Sequence, residues 1–216
     1  MCPENPMGYI ALGWIYHYDF ILGNTKSPRE TIEKGIELVQ KALAMDDSIA
    51  GAHIILCYFY LDKGDNDKAI AEAERAVALN PGDWSALNTY ANSIRNAGRP
   101  EEAIPFYQKA IRLTPFGASV LYRDFGQALR NTRRFEEAVS AYKKAIQLSP
   151  NDINAHIGLA ATYSMMGREK EARAEAAEVL RINPNFSLDY HAKLIQGKDR
   201  SRIDNYINAL RKAGLK

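Results

Sequence analysis

The chain has 216 residues, 46% of them hydrophobic and 25% charged, a mix that suits one or two globular domains and excludes a disordered chain. Its 28 Lys and Arg against 26 Asp and Glu leave a net charge of +2, which excludes a strongly basic nucleic-acid arm or an acidic tail. Two cysteines (Cys2, Cys57) and four scattered histidines (His17, His53, His156, His191) give neither a disulfide framework nor metal-ligand spacing, so no metal and no cofactor is expected.

In chain order, the first element is the most apolar: Met7 to Leu22, MGYIALGWIYHYDFIL. It holds His17 and Asp19 and falls short of the ~20 apolar residues that a bilayer crossing needs. Glu4 stands where a signal peptide carries cationic residues, and no small-residue cleavage site follows. The stretch therefore reads as a buried or half-buried helix, no membrane is expected as a partner, and the chain reads as cytoplasmic. The CPENP start looks like an interior linker, so the chain reads as a possible piece of a longer protein. A second helix, ETIEKGIELVQKALAMDD, follows the connection DFILGNTK, and Ser27-Pro28-Arg29-Glu30 has the form of a capping box with Pro at the first helical position.

From residue 50 onward the sequence repeats itself. Pro81, Pro115, Pro150 and Pro184 are 34, 35 and 34 residues apart, and an alanine twelve residues before each (Ala69, Ala103, Ala138, Ala172) keeps the same spacing. A fixed period near 34 is the mark of a helix–turn–helix solenoid. Counting Ala50 as the first position of one unit, large or aromatic residues recur at positions 4, 7 and 11, the i, i+3, i+7 stripe of a helix. Position 8 is always small (Cys57, Ala91, Gly126, Ala160), and with the alanine column it predicts close helix–helix approach. Gly64, Gly98 and Gly167 fall between the two helices of a unit, where a left-handed residue is needed, and Arg133 departs from that pattern. Proline ends each second helix, and Asp83, Asp152 and Asn185 are candidate N-caps for the helix that follows.

These columns resemble those of the tetratricopeptide repeat family over residues 50–184. The resemblance implies an all-α fold, a helix-turn-helix solenoid wound as a right-handed superhelix of about five units. As a single array the units are an irregular first one (6–49), repeats 50–83, 84–118, 119–152 and 153–185, and C-terminal capping helices over 186–216. The inserted first unit, ALAMDDSIAGAH, NAGRPEEAI and the ending ALRKAGLK together resemble the repeat tail of bacterial class III adenylate/guanylate cyclase-like proteins. No cyclase domain is present in this sequence, and no catalytic residue is carried over.

No phosphate-binding Gly loop, nucleophile elbow or H-E-x-x-H stands in the chain, so it is not expected to be an enzyme. His53 and His156 share position 4 of the packing stripe and read as structural, Cys57 as a packed thiol. Glu101, Glu102, Glu136 and Glu137 read as solvated charges at helix N-termini. In the family resembled, the first helix of each unit lines a concave groove through positions 2, 5, 9, 12 and 13. Here those positions change from aromatic (Trp14, His17, Tyr18, Tyr58) to polar and cationic (Asn88, Asn92, Arg95, Asn96, then Arg123, Gln127, Arg130, Asn131). Charge follows: residues 1–83 carry 7 basic and 13 acidic groups, residues 84–145 carry 10 and 5. Asn pairs with both groups of an extended peptide and Arg suits carboxylates. The expectation is a protein or peptide partner with acidic residues, bound by a scaffold that is the regulatory tail of a cyclase-like signalling protein. Two alternatives stay open, a homo-oligomer through the terminal helices and an RNA-binding repeat. The near-zero charge argues against nucleic acid.

Overall fold

The computed structural model describes residues 5–114, 116–195 and 199–216, and among these the chain forms twelve α-helices and no strand. Cys2, Glu4 and Pro115, and the Gln196-Gly197 end of the segment read as a helix after Pro184, lie outside the described residues. By contacts the chain divides into two compact units, Met1–Ala97 and Gly98–Lys216. The division falls within the repeat 84–118.

The first unit holds α1 (Pro6–Ile21), α2 (Pro28–Met45), α3 (Ala50–Asp62), α4 (Asn66–Leu79) and α5 (Trp84–Asn96). α1 pairs with α2 and α3 with α4, while α1, α3 and α5 lie side by side as one layer. The core between them gathers Ile10, Ile36, Val39, Ile55, Leu56 and Phe59. Glycine makes the close approach possible here: a Cβ on Gly35 would lie 2.1 Å from the Phe59 ring, so the fully buried phenyl takes the place of a side chain on α2.

The second unit holds α6 (Pro100–Arg112), α7 (Ser119–Asn131), α8 (Phe135–Leu148), α9 (Ile153–Met165), α10 (Glu169–Ile182), α11 (Leu188–Leu194) and α12 (Arg200–Ala213). α7 pairs with α8 and α9 with α10. α12 packs mainly along α9 and secondarily against α10, and it buries Ile207, Ala209, Leu210 and Ala213. The Leu188 amide donates to the Lys216 carbonyl at 2.7 Å, which ties down the C-terminal end. The ring of Tyr142, fully buried, sits between α7 and α9 because Gly126 and Gly158 leave it room. α6 runs unbroken through Pro105, which is exposed.

The four alanines of the sequence column are at most 1% exposed, as are Cys57, Ala91 and Ala160 at position 8. Gly64, Gly98 and Gly167 take φ of +75°, +91° and +75°, and Arg133 takes +62° in the same role. Asp83 and Asp152 cap α5 and α9 through Ser85 N and Asn154 N. Three local expectations are corrected. The Ser27 side chain makes no cap bond, since Glu30 pairs forward with Lys34 at 2.7 Å and the Ser27 amide donates to Thr25 Oγ1. Asn185 is not a cap: α11 starts later, and Ser187 caps it by accepting from Tyr190 N. Asp19 to Ile21, read as connection, continue α1, leaving residues 22–27 as the link.

Candidate functional site

In the first unit the layer of α1, α3 and α5 carries the residues singled out in the sequence. Trp14 lies 5.9 Å from Tyr58, ring centre to ring centre, and His17 lies 5.3 Å from Tyr58 and 5.6 Å from Phe59. Tyr18 stands 6.1 Å from Trp14 and is 54% exposed, and Met7 is 57% exposed. The helical spacing of 14, 17 and 18 puts these rings on one face of α1, and Tyr58 meets them from the neighbouring α3. The Tyr58 hydroxyl accepts from Thr89 Oγ1 of α5 at 3.3 Å, and His17 Nε2 lies 3.3 Å from Asp62 Oδ2 at the end of α3. The structure thus brings Trp14, His17 and Tyr58 together as one aromatic cluster, half-open to solvent.

The α5 residues have a different environment. Asn88, Asn92 and Asn96 are buried, and Arg95, half-buried, donates to Asn92 Oδ1 at 3.1 Å. A buried amide must be hydrogen-bonded to be tolerated, so these side chains are part of the packing of α5 as well as of its face.

In the second unit Arg123 is held between two carboxylates, Asp124 at 3.2 Å and Asp152 at 3.3 Å, both with side chains under 10% exposed. Burial disfavours the guanidinium charge, but the two carboxylates outweigh it and push its proton affinity above the ordinary arginine value. Arg123 is therefore an internal clamp joining α7 to the cap of α9. Gln127 and Asn131 are half-buried on α7. Arg130 donates to the Tyr142 hydroxyl at 3.3 Å, and its guanidinium carbon stands 4.0 Å above the ring of Tyr206 from α12. Burial raises the Tyr206 phenol above its ordinary value, with Arg130 opposing. Burial lowers His191, which lies 3.5 Å from the Tyr206 hydroxyl, and Arg130 lowers it further.

Arg130 and Asn131 also line a cleft of about 830 Å³ whose other wall is α12. Arg133, Arg202, Arg211 and Lys212 line it too. The sequence marks none of these four as a site residue. One signal was there: Arg133 breaks the glycine column of the inter-helix turn. The α12 residues carried none, because their place depends on how the C-terminal helix folds back along α9.

His53 and His156 sit at equivalent positions and make equivalent bonds. Each Nδ1 lies 2.7 Å from a glutamate (Glu72, Glu175) and each Nε2 lies 3.1 Å from a carbonyl oxygen (Asp47, Pro150). Both ring nitrogens thus face acceptors, an environment that favours the doubly protonated imidazolium. The glutamate hydrogen bond is the largest cause raising each histidine above its ordinary value, against the penalty of burial. These are latches between the two helices of a repeat. Among the described residues no cluster of three metal-ligating side chains occurs, and no helix is long and apolar enough to cross a membrane.

Paired helices of fixed period, with rings and cations on one layer, define a helical-repeat interaction scaffold. The chain belongs to the tetratricopeptide repeat family: models of that family match residues 60–118 and 124–195, together more than half of its length. No curated protein sequence matches it. Solved structures share the fold at low identity. TTC0263, a thermophilic TPR protein in Thermus thermophilus, is 21% identical at a TM-score of 0.71, over 95% of this chain and 99% of that one. Pseudomonas aeruginosa PilF is 19% identical at 0.70, over 97% and 88%. YrrB, described as a TPR protein with an unusual peptide-binding site, is 21% identical at 0.58, over 89% and 93%.

Proposed function

We propose that the chain is a non-enzymatic scaffold that binds a segment of a partner protein, and that the aromatic cluster on α1 and α3 is its main contact surface. One observation carries this reading: Trp14, His17, Tyr18 and Tyr58 form a contiguous set of rings, with Tyr18 and Met7 more than half exposed beside them. Binding energy concentrates in tryptophan and tyrosine anchors set among polar neighbours, and the polar residues of α5, Asn88, Asn92, Arg95 and Asn96, supply orientation at the side of the cluster. That YrrB is described as having a peptide-binding site supports the same class of ligand. The link to cyclase-like signalling proteins and action in the cytoplasm are part of this proposal, and a reading frame that carries a cyclase domain in the same chain tests the first.

The test pans a random peptide library displayed on phage over the full chain. Peptides selected by the wild type are expected to weaken about 30-fold on Trp14→Ala, the size of a hot spot, while the melting curve shifts by only a few degrees. Undiminished affinity in that variant would remove the aromatic cluster as the site. A second reading, self-association, is favoured by Ile15 of α1 and Leu22 at its C-terminal end, both more than half exposed. Light scattering decides it, a dimer mass that Ile15→Glu reduces to the monomer supporting self-association.

A further inference from the structure

In the second unit, the helix that reads from sequence only as a cap builds one wall of a charged cleft. Arg130 from α7, Arg133 from the α7–α8 turn and Arg202, Arg211 and Lys212 from α12 line the cleft, and Asp199 is the one carboxylate among its lining residues. Asp199 is engaged with Arg202 at 3.3 Å. Arg133 and Lys212 have no ion-pair partner among the described residues. Like charges gathered round a concave surface repel one another and raise the local concentration of anions. Among the described residues that line the cleft, Asp199 alone offsets the excess.

Arg133 adds an independent observation. At its place in the repeat the backbone needs a left-handed residue, and three repeats use glycine there, at φ between +75° and +91°. A side chain at φ +62° is disfavoured, because its Cβ crowds the backbone. Of these four turn residues only Arg133 lines the cleft. The turn requires the conformation but not the side chain, and here that side chain adds a cation to the cleft.

We propose that this cleft binds a carboxylate-rich segment of a partner protein. Guanidinium groups take carboxylates in two-pronged fashion. Asn131, Asn205 and Asn208 stand among the cations, and each amide can pair with the N–H and C=O of an extended chain. Nucleic acid fits less well. Single strands are held by bases stacked on open aromatic faces, whereas the face of Tyr206 is covered by Arg130 at 4.0 Å and Phe135 is half-buried. The proposal extends the scaffold reading to a second surface, and it stands or falls separately from the aromatic cluster on α1 and α3.

Fluorescence anisotropy on the full chain tests it, with three labelled probes of equal length: a Gly-spaced Asp/Glu peptide, the same peptide with Lys for each acid, and single-stranded RNA. The acidic peptide is expected to bind, more weakly as salt is raised, and the lysine peptide not to bind. Arg133→Gly should weaken the acidic peptide about fivefold at low salt while melting no lower than the wild type, since glycine suits that backbone. Arg133→Gly combined with Lys212→Ser should weaken it further. Lys143→Ser, which removes an exposed cation of α8 outside the cleft, should leave binding unchanged. The proposal is overturned if Arg133→Gly binds the acidic peptide like the wild type, or if the lysine peptide binds equally well. It is also overturned if RNA binds more tightly than the acidic peptide and loses that binding in the double variant.

Discussion

Replacing Gly158 by alanine should destabilise the second unit although it improves helix propensity. A Cβ built on Gly158 lies 2.4 Å from Tyr142 Cε1, 2.5 Å from Cζ and 2.8 Å from the hydroxyl. Carbon atoms in contact prefer about 3.5–4.0 Å, so the ring must retreat by roughly 1 Å. It has little room to do so: Tyr142 is fully buried, a Cβ on Gly126 across the ring would already lie at 3.0 Å, and the hydroxyl is held by Arg130 at 3.3 Å. Overpacking of this kind costs about 1–3 kcal/mol, against a gain of about 0.5–1 kcal/mol from replacing a mid-helix glycine. At the middle of these ranges the net loss is about 1 kcal/mol, a midpoint about 2–4 °C lower for a chain of this size. Gly51, in the first turn of α3 with nothing within 4 Å of its would-be Cβ, is the control. Its alanine variant should melt at or slightly above the wild type. Thermal melts by circular dichroism on Gly158→Ala, Tyr142→Leu and the pair test the contact itself: the Gly158→Ala penalty should shrink in the Tyr142→Leu background. A Gly158→Ala protein as stable as the wild type, or penalties that simply add, would refute the packing argument.

Two further outcomes concern charge. His53 and His156 are raised above their ordinary value of 6.5 by hydrogen bonds to Glu72 and Glu175. Their stabilisation is therefore full below about pH 6.5 and is lost as pH rises through the folded-state values. Urea unfolding should show stability falling as pH rises above 6.5, and the double change to leucine should flatten that slope. His191 is lowered by burial and by Arg130, so the unfolded chain binds its proton more readily and this group works against the slope near pH 6.5, an effect that fades as pH rises. For Arg123→Ala, removal of the guanidinium leaves Asp124 and Asp152 facing each other without their cation, and stability should drop by about 3 kcal/mol. An unchanged melt would mean that Arg123 is a surface group open to a ligand, as the sequence alone suggests.

Much of the fold is legible in the sequence because its determinants are local. The stripe at positions 4, 7 and 11 sets the buried face of each first helix, and the glycine and proline punctuation sets where helices turn and stop. The columns through Ala69, Ala103, Ala138 and Ala172 announce the close pairing that their burial displays. His53 and His156 are legible as packing residues for the same reason, since their partners lie nineteen residues on, within one repeat. Trp14, His17 and Tyr58 are legible as a group because helical periodicity puts 14 and 17 on one face and the repeat register puts 58 beside them.

The site chemistry is another matter, because it depends on side chains that meet across repeats. Arg123 has an open, groove-facing position by repeat register, yet Asp152, 29 residues later, reaches it at 3.3 Å and closes it into a clamp. Arg130 shares that register and meets Tyr206, which no period relates to it. Gly158 has no mark in any column; its reason is the Tyr142 ring of the preceding repeat. Periodicity tells which face of a helix is buried, but not which long side chain crosses to a neighbouring helix. The path of α12 along α9, and with it the cationic cleft, is decided by burial of Ile207, Leu210 and Ala213 at the end of the array. That is a property of the stacked helices and of no single segment.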